Sequence, residues 1–383
     1  MDSRPLSIYI HIPFCVRKCA YCDFLSFPPS GNNIELYMEA LLEEIGQMPQ
    51  LDRSYRVKTV FIGGGTPSCL PPFYISEILC KLKSALVLEA SAEITMELNP
   101  GTADRESLAS YKRAGINRLS IGCQSTDPAI LKRLGRIHTR EDFFQVYQEA
   151  REVGFDNINV DLISSAPGET CDIFQRSLSE IISLKPEHIS VYSLIIEPGT
   201  PFHQAYGEGK LDLPDEDTVE RIDEITGTCL AQAGYQRYEI SNYAMPGREC
   251  AHNQVYWNRE PYLGLGLGAA SLLINPNAPY GRRFSNTRDL REYLASPGRV
   301  LSEDRVLCKR EAMEEFLFLG LRQTGGIEED SFLRAFGESL LQVFGREIEK
   351  QVSQGFMVRD SGRYFYTDRG LELSNILMSE FLD

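Results

Sequence analysis

The chain has 383 residues, 43% of them apolar, with 54 acidic against 39 basic side chains and a formal charge of −15. That length suits about two or three domains, or a barrel with an appendage, and the apolar share allows a substantial core. The acidic balance argues against a general nucleic-acid surface, which needs clustered Lys and Arg. The opening MDSRPLSIYI lacks the pattern of a secretory leader, and no apolar run reaches the roughly 18 residues of a membrane span. The expectation is a cytoplasmic protein with no membrane span and no nucleic-acid partner. Its thiols stay reduced there, so clustered cysteines read as a metal or redox site.

The predicted elements alternate through the first half. Strands are expected at 7–11, 57–62, 92–97, 117–122, 157–163 and 188–194. Helical spacing falls at 35–48, 72–86, 104–114, up to 153, and 172–184. Near-continuous apolar strands joined by short links to helices demand a parallel sheet covered by helices. Six such units fit an open sheet or an incomplete barrel. The order breaks at 196–217, which is rich in Pro, Gly and acid. A helix follows at 218–233, then irregular strand and loop at 236–258 and a glycine-rich link at 264–268. Helices at 307–322, 328–336 and 338–354, a small hairpin around the DSG turn at 360–362 and a last helix to Leu382 are similar to a winged helix.

HIPFCVRKCAYCDF places Cys15, Cys19 and Cys22 in a C-x3-C-x2-C loop directly after the first strand. A structural zinc site would need a fourth ligand, from His11 or a distant cysteine. Three thiolates instead suit three irons of a [4Fe–4S] cluster, leaving the fourth open. In VFIGGGTPS the strand runs into Gly63, Gly64 and Gly65 with no Lys at P-loop spacing. This is either a tight turn or a backbone surface that exposes N–H groups to a ligand. Glu97, Gln124 and Asp161 lie at or near successive strand ends, where parallel β/α folds bind ligands. Singly, each reads equally as a cap or a satisfied core group, and Arg136 as a solvated helix end.

The cysteine spacing after a first strand in a β/α chain is the signature of the radical S-adenosylmethionine (SAM) proteins. The stretches IYIHIPFC, CAYCDF, VFIGGGTPS, EITMELNPGT, GINRLSIGCQS, LKRLGRIH, EPGTPF, YEISNYAMPG and YLGLGLGA narrow the likeness further. Over about residues 7–270 the chain resembles the oxygen-independent coproporphyrinogen III oxidase group, and within it the heme-chaperone branch. The part from about Leu307 resembles that family's C-terminal domain more loosely.

The resemblance implies an α/β fold: a partial (β/α)6 radical SAM barrel over 1–210, an extension over 211–300 packing on it, and a small helical, winged-helix-like domain over 301–383. It implies a [4Fe–4S] cluster on Cys15, Cys19 and Cys22 whose open iron takes the amino and carboxylate groups of SAM. Tyr9, Tyr21, Gly64, Gly65, Thr66, Glu97, Gln124, Arg136 and Asp161 stand at the family's SAM-contacting positions. It further implies heme as ligand and an acceptor hemoprotein as partner, a membrane respiratory enzyme being one candidate. A reduced flavodoxin or ferredoxin is the implied electron donor.

Two features separate chaperone from oxidase. The oxidase has another cysteine two residues after the third cluster cysteine, where this chain has Phe24, and a longer N-terminal extension. The chaperone carries H-N-x-x-Y-W, which stands here as His252, Asn253, Tyr256 and Trp257. Imidazole suits heme iron and aromatic rings suit a porphyrin face, while a His beside aromatics is also an ordinary packed histidine. The chain departs from the family at LISSAPG, with Ser164, Ser165 and Ala166, and at Ala270, where His is usual. The expected function is therefore heme binding and delivery, with radical oxidative decarboxylation of coproporphyrinogen III as the alternative.

Overall fold

The computed structural model describes residues 4–48 and 55–382. Six strands lie side by side in chain order, all parallel: β1 (Arg4–Ile12), β2 (Tyr55–Gly64), β3 (Val87–Leu98), β4 (Arg118–Gln124), β5 (Ile158–Ser164) and β6 (His188–Ser193). Their apolar side chains make the main core against the covering helices, with Ile8, Ile10, Val60, Ile62, Met96, Leu119, Ile121 and Val160 all buried.

The sequence sets the helix ends. Asp104 and Thr139 cap their helices through reciprocal bonds with Ser107 and Asp142, and those helices stop at Gly115 and Gly154 in left-handed conformations. Such caps satisfy N–H groups that the first helical turn leaves free.

The sheet extends past both ends of this set. Beyond β6, β7 (Gln236–Arg237) and β8 (Asn242–Ala244) add antiparallel pairs. Beyond β1, β9 (Tyr262–Leu265) pairs parallel with it. Then β10 (Ala270–Asn275), β11 (Ala278–Asn286) and β12 (Leu301–Val306) follow antiparallel. The sheet does not close on itself: its edges are β12 and β7.

The stretch expected to be irregular also contains a helix, Ala251–Trp257, and the expected glycine link enters β9. Gly266 has φ +95°, and a Cβ there would lie 2.5 Å from the Tyr37 hydroxyl. The glycines therefore serve close packing. Buried Glu44 fastens this region, accepting from Gly266 N (2.8 Å), Asn286 Nδ2 (2.7 Å) and Tyr293 OH (2.7 Å).

The C-terminal part has its own core, including Leu317, Phe332, Phe344, Tyr364 and Phe381. Its sheet gains a strand over the expected hairpin, in the order β13 (Ile327–Glu328), β15 (Arg363–Tyr366), β14 (Met357–Asp360). The expected last helix is two short ones, Asp368–Glu372 and Ser374–Ser379. Thr324 ties this part to the barrel, its N–H donating to Tyr238 O at 3.1 Å and its hydroxyl to Arg237 O at 3.0 Å.

Candidate functional site

The cysteine loop leaves β1 at Ile12 and is pinned at several points. Phe27 N donates to Pro13 O at 2.9 Å, Cys15 N to Phe27 O at 3.1 Å and Ala20 N to Leu134 O at 3.2 Å. His11 holds the far side: Nε2 donates to Leu25 O at 2.8 Å, while Nδ1 accepts from the Tyr9 hydroxyl at 3.0 Å. Burial pushes the His11 pKa down, which suits this neutral, singly protonated ring.

All three cysteines are free thiols on the wall of one cavity of about 440 Å³. Cys15 Sγ lies 3.3 Å from Thr66 Oγ1, and Cys19 Sγ accepts from Arg136 Nη1 at 3.7 Å. Burial raises the Cys22 pKa, and the Cys19 and Cys15 thiols raise it further, so the three sulfurs sense one another. Among the described residues no three His, Cys, Asp or Glu side chains gather tightly enough for a single metal ion. Three separate thiols around an opening fit a polynuclear cluster with one cysteine per iron better than a closed zinc site.

The glycine turn closes the next side. Gly64 has φ +116°, and a Cβ there would lie 2.5 Å from the His11 ring. One on Gly65 would lie 2.5 Å from Phe14 O. The expected free N–H groups are not free: Gly64 N donates to Glu97 Oε2 at 3.0 Å, Gly65 N to Ile12 O at 2.8 Å and Thr66 N to Phe14 O at 2.7 Å. The glycines let the chain pass beside His11 and the cysteine loop, and their N–H groups are spent on that packing.

The remaining wall comes from one face of the parallel strands. Arg118, Ser120, Gly122 and Gln124 on β4, Asn159, Asp161 and Ile163 on β5, and His188, Ser190 and Tyr192 on β6 all line the cavity. Strand residues two apart share a face, so each strand presents an alternate set. Ser120 Oγ donates to Asp161 Oδ2 (2.9 Å) and Asn159 Nδ2 to Asp161 Oδ1 (2.8 Å). His188 bonds Asn159 Oδ1 at 2.6 Å and the Tyr238 hydroxyl at 2.8 Å.

Of the expected SAM residues, Tyr21, Gly64, Gly65, Thr66, Glu97, Gln124, Arg136 and Asp161 line this cavity; Tyr9 does not. Tyr9 stands behind the wall, bonded to His11 and stacked on Phe61. Arg136 is no solvated helix end: Nη2 donates to Asn99 Oδ1 at 2.6 Å and to Gly122 O at 3.0 Å. Burial and the nearby Asp161 push the Glu97 carboxyl up to about 8. Burial raises Asp161 too, against the bonds from Asn159 and Ser120.

Of the H-N-x-x-Y-W residues, only Asn253 reaches the cavity wall. His252 is buried behind it, with Nδ1 2.7 Å from Thr59 Oγ1 and Nε2 2.8 Å from the Tyr256 hydroxyl, so neither ring nitrogen is free to ligate iron in this packing. Trp257 does not line the cavity and lies under the Arg322 guanidinium, which is 4.5 Å from its ring.

Sequence reasoning missed Asn99, Arg118, Ser120, Asn159, His188, Ser190 and Tyr192. The signal was present as alternating polar residues in RLSIGCQ, NINVD and HISVY. Alternation within apolar strands marks a polar interior face.

The radical SAM superfamily model matches residues 9–181, and the HemN C-terminal domain model residues 307–373. The chain is 36% identical to the heme chaperone HemW of Lactococcus lactis subsp. lactis, over 100% of this chain and 98% of that protein. It is 36% identical to the heme chaperone HemW of Escherichia coli, over 99% and 98%. The solved structure of the E. coli coproporphyrinogen III oxidase HemN, a radical SAM enzyme, is similar with a TM-score of 0.84 at 25% identity, covering 98% of this chain and 90% of that one. Radical SAM membership implies a [4Fe–4S] cluster and SAM, which the three free thiols beside a polar cavity fit. With full-length similarity at this level, the chain belongs to the HemW family within the radical SAM superfamily.

Proposed function

We propose that this chain is a heme chaperone that binds heme and passes it to an acceptor hemoprotein. The observation that carries this reading is full-length similarity to proteins named heme chaperone HemW. The cavity wall supports it: Phe24, where the oxidase group has a further cysteine, and Ile195 both line the cavity and are exposed, adding apolar surface to a polar interior. That combination suits an amphiphilic macrocycle.

In this reading Cys15, Cys19 and Cys22 hold the cluster, which supplies one-electron chemistry when bound. Tyr21, Gly64, Gly65, Thr66, Glu97, Gln124, Arg136 and Asp161 hold SAM. Tyr9 acts from behind by orienting His11. Arg136 braces Cys19 and the β4 carbonyl at once, so it sets the distance between cluster and ligand. Glu97, protonated near neutrality, gives up its proton when a cationic ligand arrives. Heme meets the H-N-x-x-Y-W segment through Asn253, with His252, Tyr256 and Trp257 shaping that helix.

An acidic electron donor such as a reduced flavodoxin or ferredoxin fits the cluster face. Residues 15–22 and 129–138 carry exposed Arg17, Lys18, Lys132 and Arg133 and no Asp or Glu, in a chain of charge −15. Arg17 Nη2 donates to Gly135 O at 2.7 Å and joins the two segments.

The test is anaerobic. After cluster reconstitution, heme is titrated by its Soret band, and a second portion receives coproporphyrinogen III, SAM and a reductant. Stoichiometric heme binding without decarboxylated product is the expected result. Catalytic formation of protoporphyrinogen would overturn the chaperone reading. In Cys19→Ala, full retention of iron and sulfide would sink the cluster assignment.

A further inference from the structure

Arg118 opens β4 at the floor of the cavity and is only 2% exposed. Burying a guanidinium is expensive unless its donors are paired, yet its Nε has no hydrogen-bond partner. The carboxyls that face it are committed elsewhere. Glu93 accepts from Ala251 N and His252 N, both at 3.1 Å. Asp161 accepts from Ser120 and Asn159. The remaining groups close to it are Cys250 and Tyr238, whose pKa values burial raises, so both stay neutral. Arg118 is thus a buried cation with spare donor capacity at the closed end of a ligand cavity.

Of the proposed SAM residues Asp161 faces it, with both oxygens already bonded by Ser120 and Asn159. Gln124, at the end of the same strand and on the same face, belongs to the proposed SAM half. Arg118 is six residues away, roughly 20 Å along the strand. The way down from the mouth runs past Tyr192, Ser190 and His188 on β6 and past Asn253, none of which belongs to the SAM set. Ile195, beyond the end of β6, adds an apolar side chain to that path and is 63% exposed.

We propose that Arg118 binds a propionate carboxylate of the tetrapyrrole, which enters along the β6 wall propionate-first, with its macrocycle edge-on in the cavity and its far edge toward the rim. This rests on the heme reading. A guanidinium takes a carboxylate through two parallel N–H···O bonds, so the contact selects acid over ester. The edge nearest the rim is the part an acceptor protein would take first.

The test compares hemin with hemin dimethyl ester on the cluster-reconstituted full chain, alongside Arg118→Gln and Arg118→Lys. The wild type is expected to bind hemin roughly 10- to 100-fold more tightly than the ester. Arg118→Gln should lose that preference by weakening hemin alone, and Arg118→Lys should keep part of it. Equal binding of acid and ester by the wild type overturns the proposal and leaves the heme reading standing; this comparison needs no variant. No binding of either compound overturns the heme reading itself and this proposal with it. Weakened SAM binding in Arg118→Gln with hemin preference intact would assign the carboxylate to SAM and also overturn it.

Discussion

The imidazole of His252 lies with Nδ1 2.7 Å from the Thr59 hydroxyl, so the first residue of the H-N-x-x-Y-W segment is fastened to the centre of β2. Its other nitrogen meets Tyr256, and burial pushes its pKa down to about 3. The ring stays neutral while folded. An unfolded imidazole, with an ordinary value of 6.5, takes up a proton as pH falls through that point. The folded one does so only near 3, so stability is present above 6.5 and is lost between there and about 3. Each pH unit inside that window removes up to about 1.4 kcal/mol. Urea unfolding at pH 7 and pH 4.5 should show the loss, and His252→Gln should flatten it to the slope left by His11, His138 and His188, whose pKa values burial also lowers.

Glu97 titrates in the opposite sense. With its carboxyl raised to about 8, the folded apo-protein holds a proton there that an unfolded glutamate releases near 4.5. That contribution to stability is complete below 4.5 and lost as pH rises toward 8. A cationic sulfonium favours the ionised form, so SAM affinity should climb with pH and level off above about 8. Calorimetric titration between pH 6.5 and 9 would show the climb, with proton release on binding. Glu97→Gln should bind SAM more weakly with a flat profile, and an unchanged slope in that variant would exclude Glu97 as the titrating group.

Gly64→Ala should cripple the site. The position has φ +116°, and a methyl group would collide with the His11 ring, which in turn holds Leu25 O at the end of the cysteine loop. Backbone strain alone costs about 1–3 kcal/mol, before the clash. The expected outcome is a lower melting temperature together with reduced iron incorporation. Wild-type iron content would show that the loop does not depend on this contact.

Lys132 is exposed on the helix Pro128–Leu134, next to the cluster loop. Reversing its charge should slow cluster reduction by an acidic flavodoxin roughly three- to tenfold at low salt, with the difference shrinking at high salt. Reduction by dithionite should not change. Stopped-flow absorbance follows both, and binding of the flavodoxin to the cluster-free chain should weaken in parallel. Equal slowing with dithionite would point to a damaged cluster instead.

The chain of β/α units and the cysteine loop were legible in the sequence because each depends on local chemistry. Periodicity, closing glycines and a C-x3-C-x2-C spacing all act within a few residues, whereas the Asp104 and Thr139 caps came to light in the structure. Much of the site could not be read that way. The Gly64 and Gly65 N–H groups looked available until the fold brought Glu97, Ile12 and Phe14 to them. Arg136 looked solvated until Asn99 and Cys19 met it. Strands β9 to β12 escaped notice because glycines and arginines mask their pattern, and only pairing beside β1 makes them strands. His252 offered a ligand by its type and neighbours, and Thr59, 193 residues away in the chain, took that role from it. Residue type and spacing fixed which chemistry the protein carries. Long-range packing decided which donors are already spent and which, like Arg118, remain for a ligand, because a hydrogen-bonding group is free only when no distant segment has filled it.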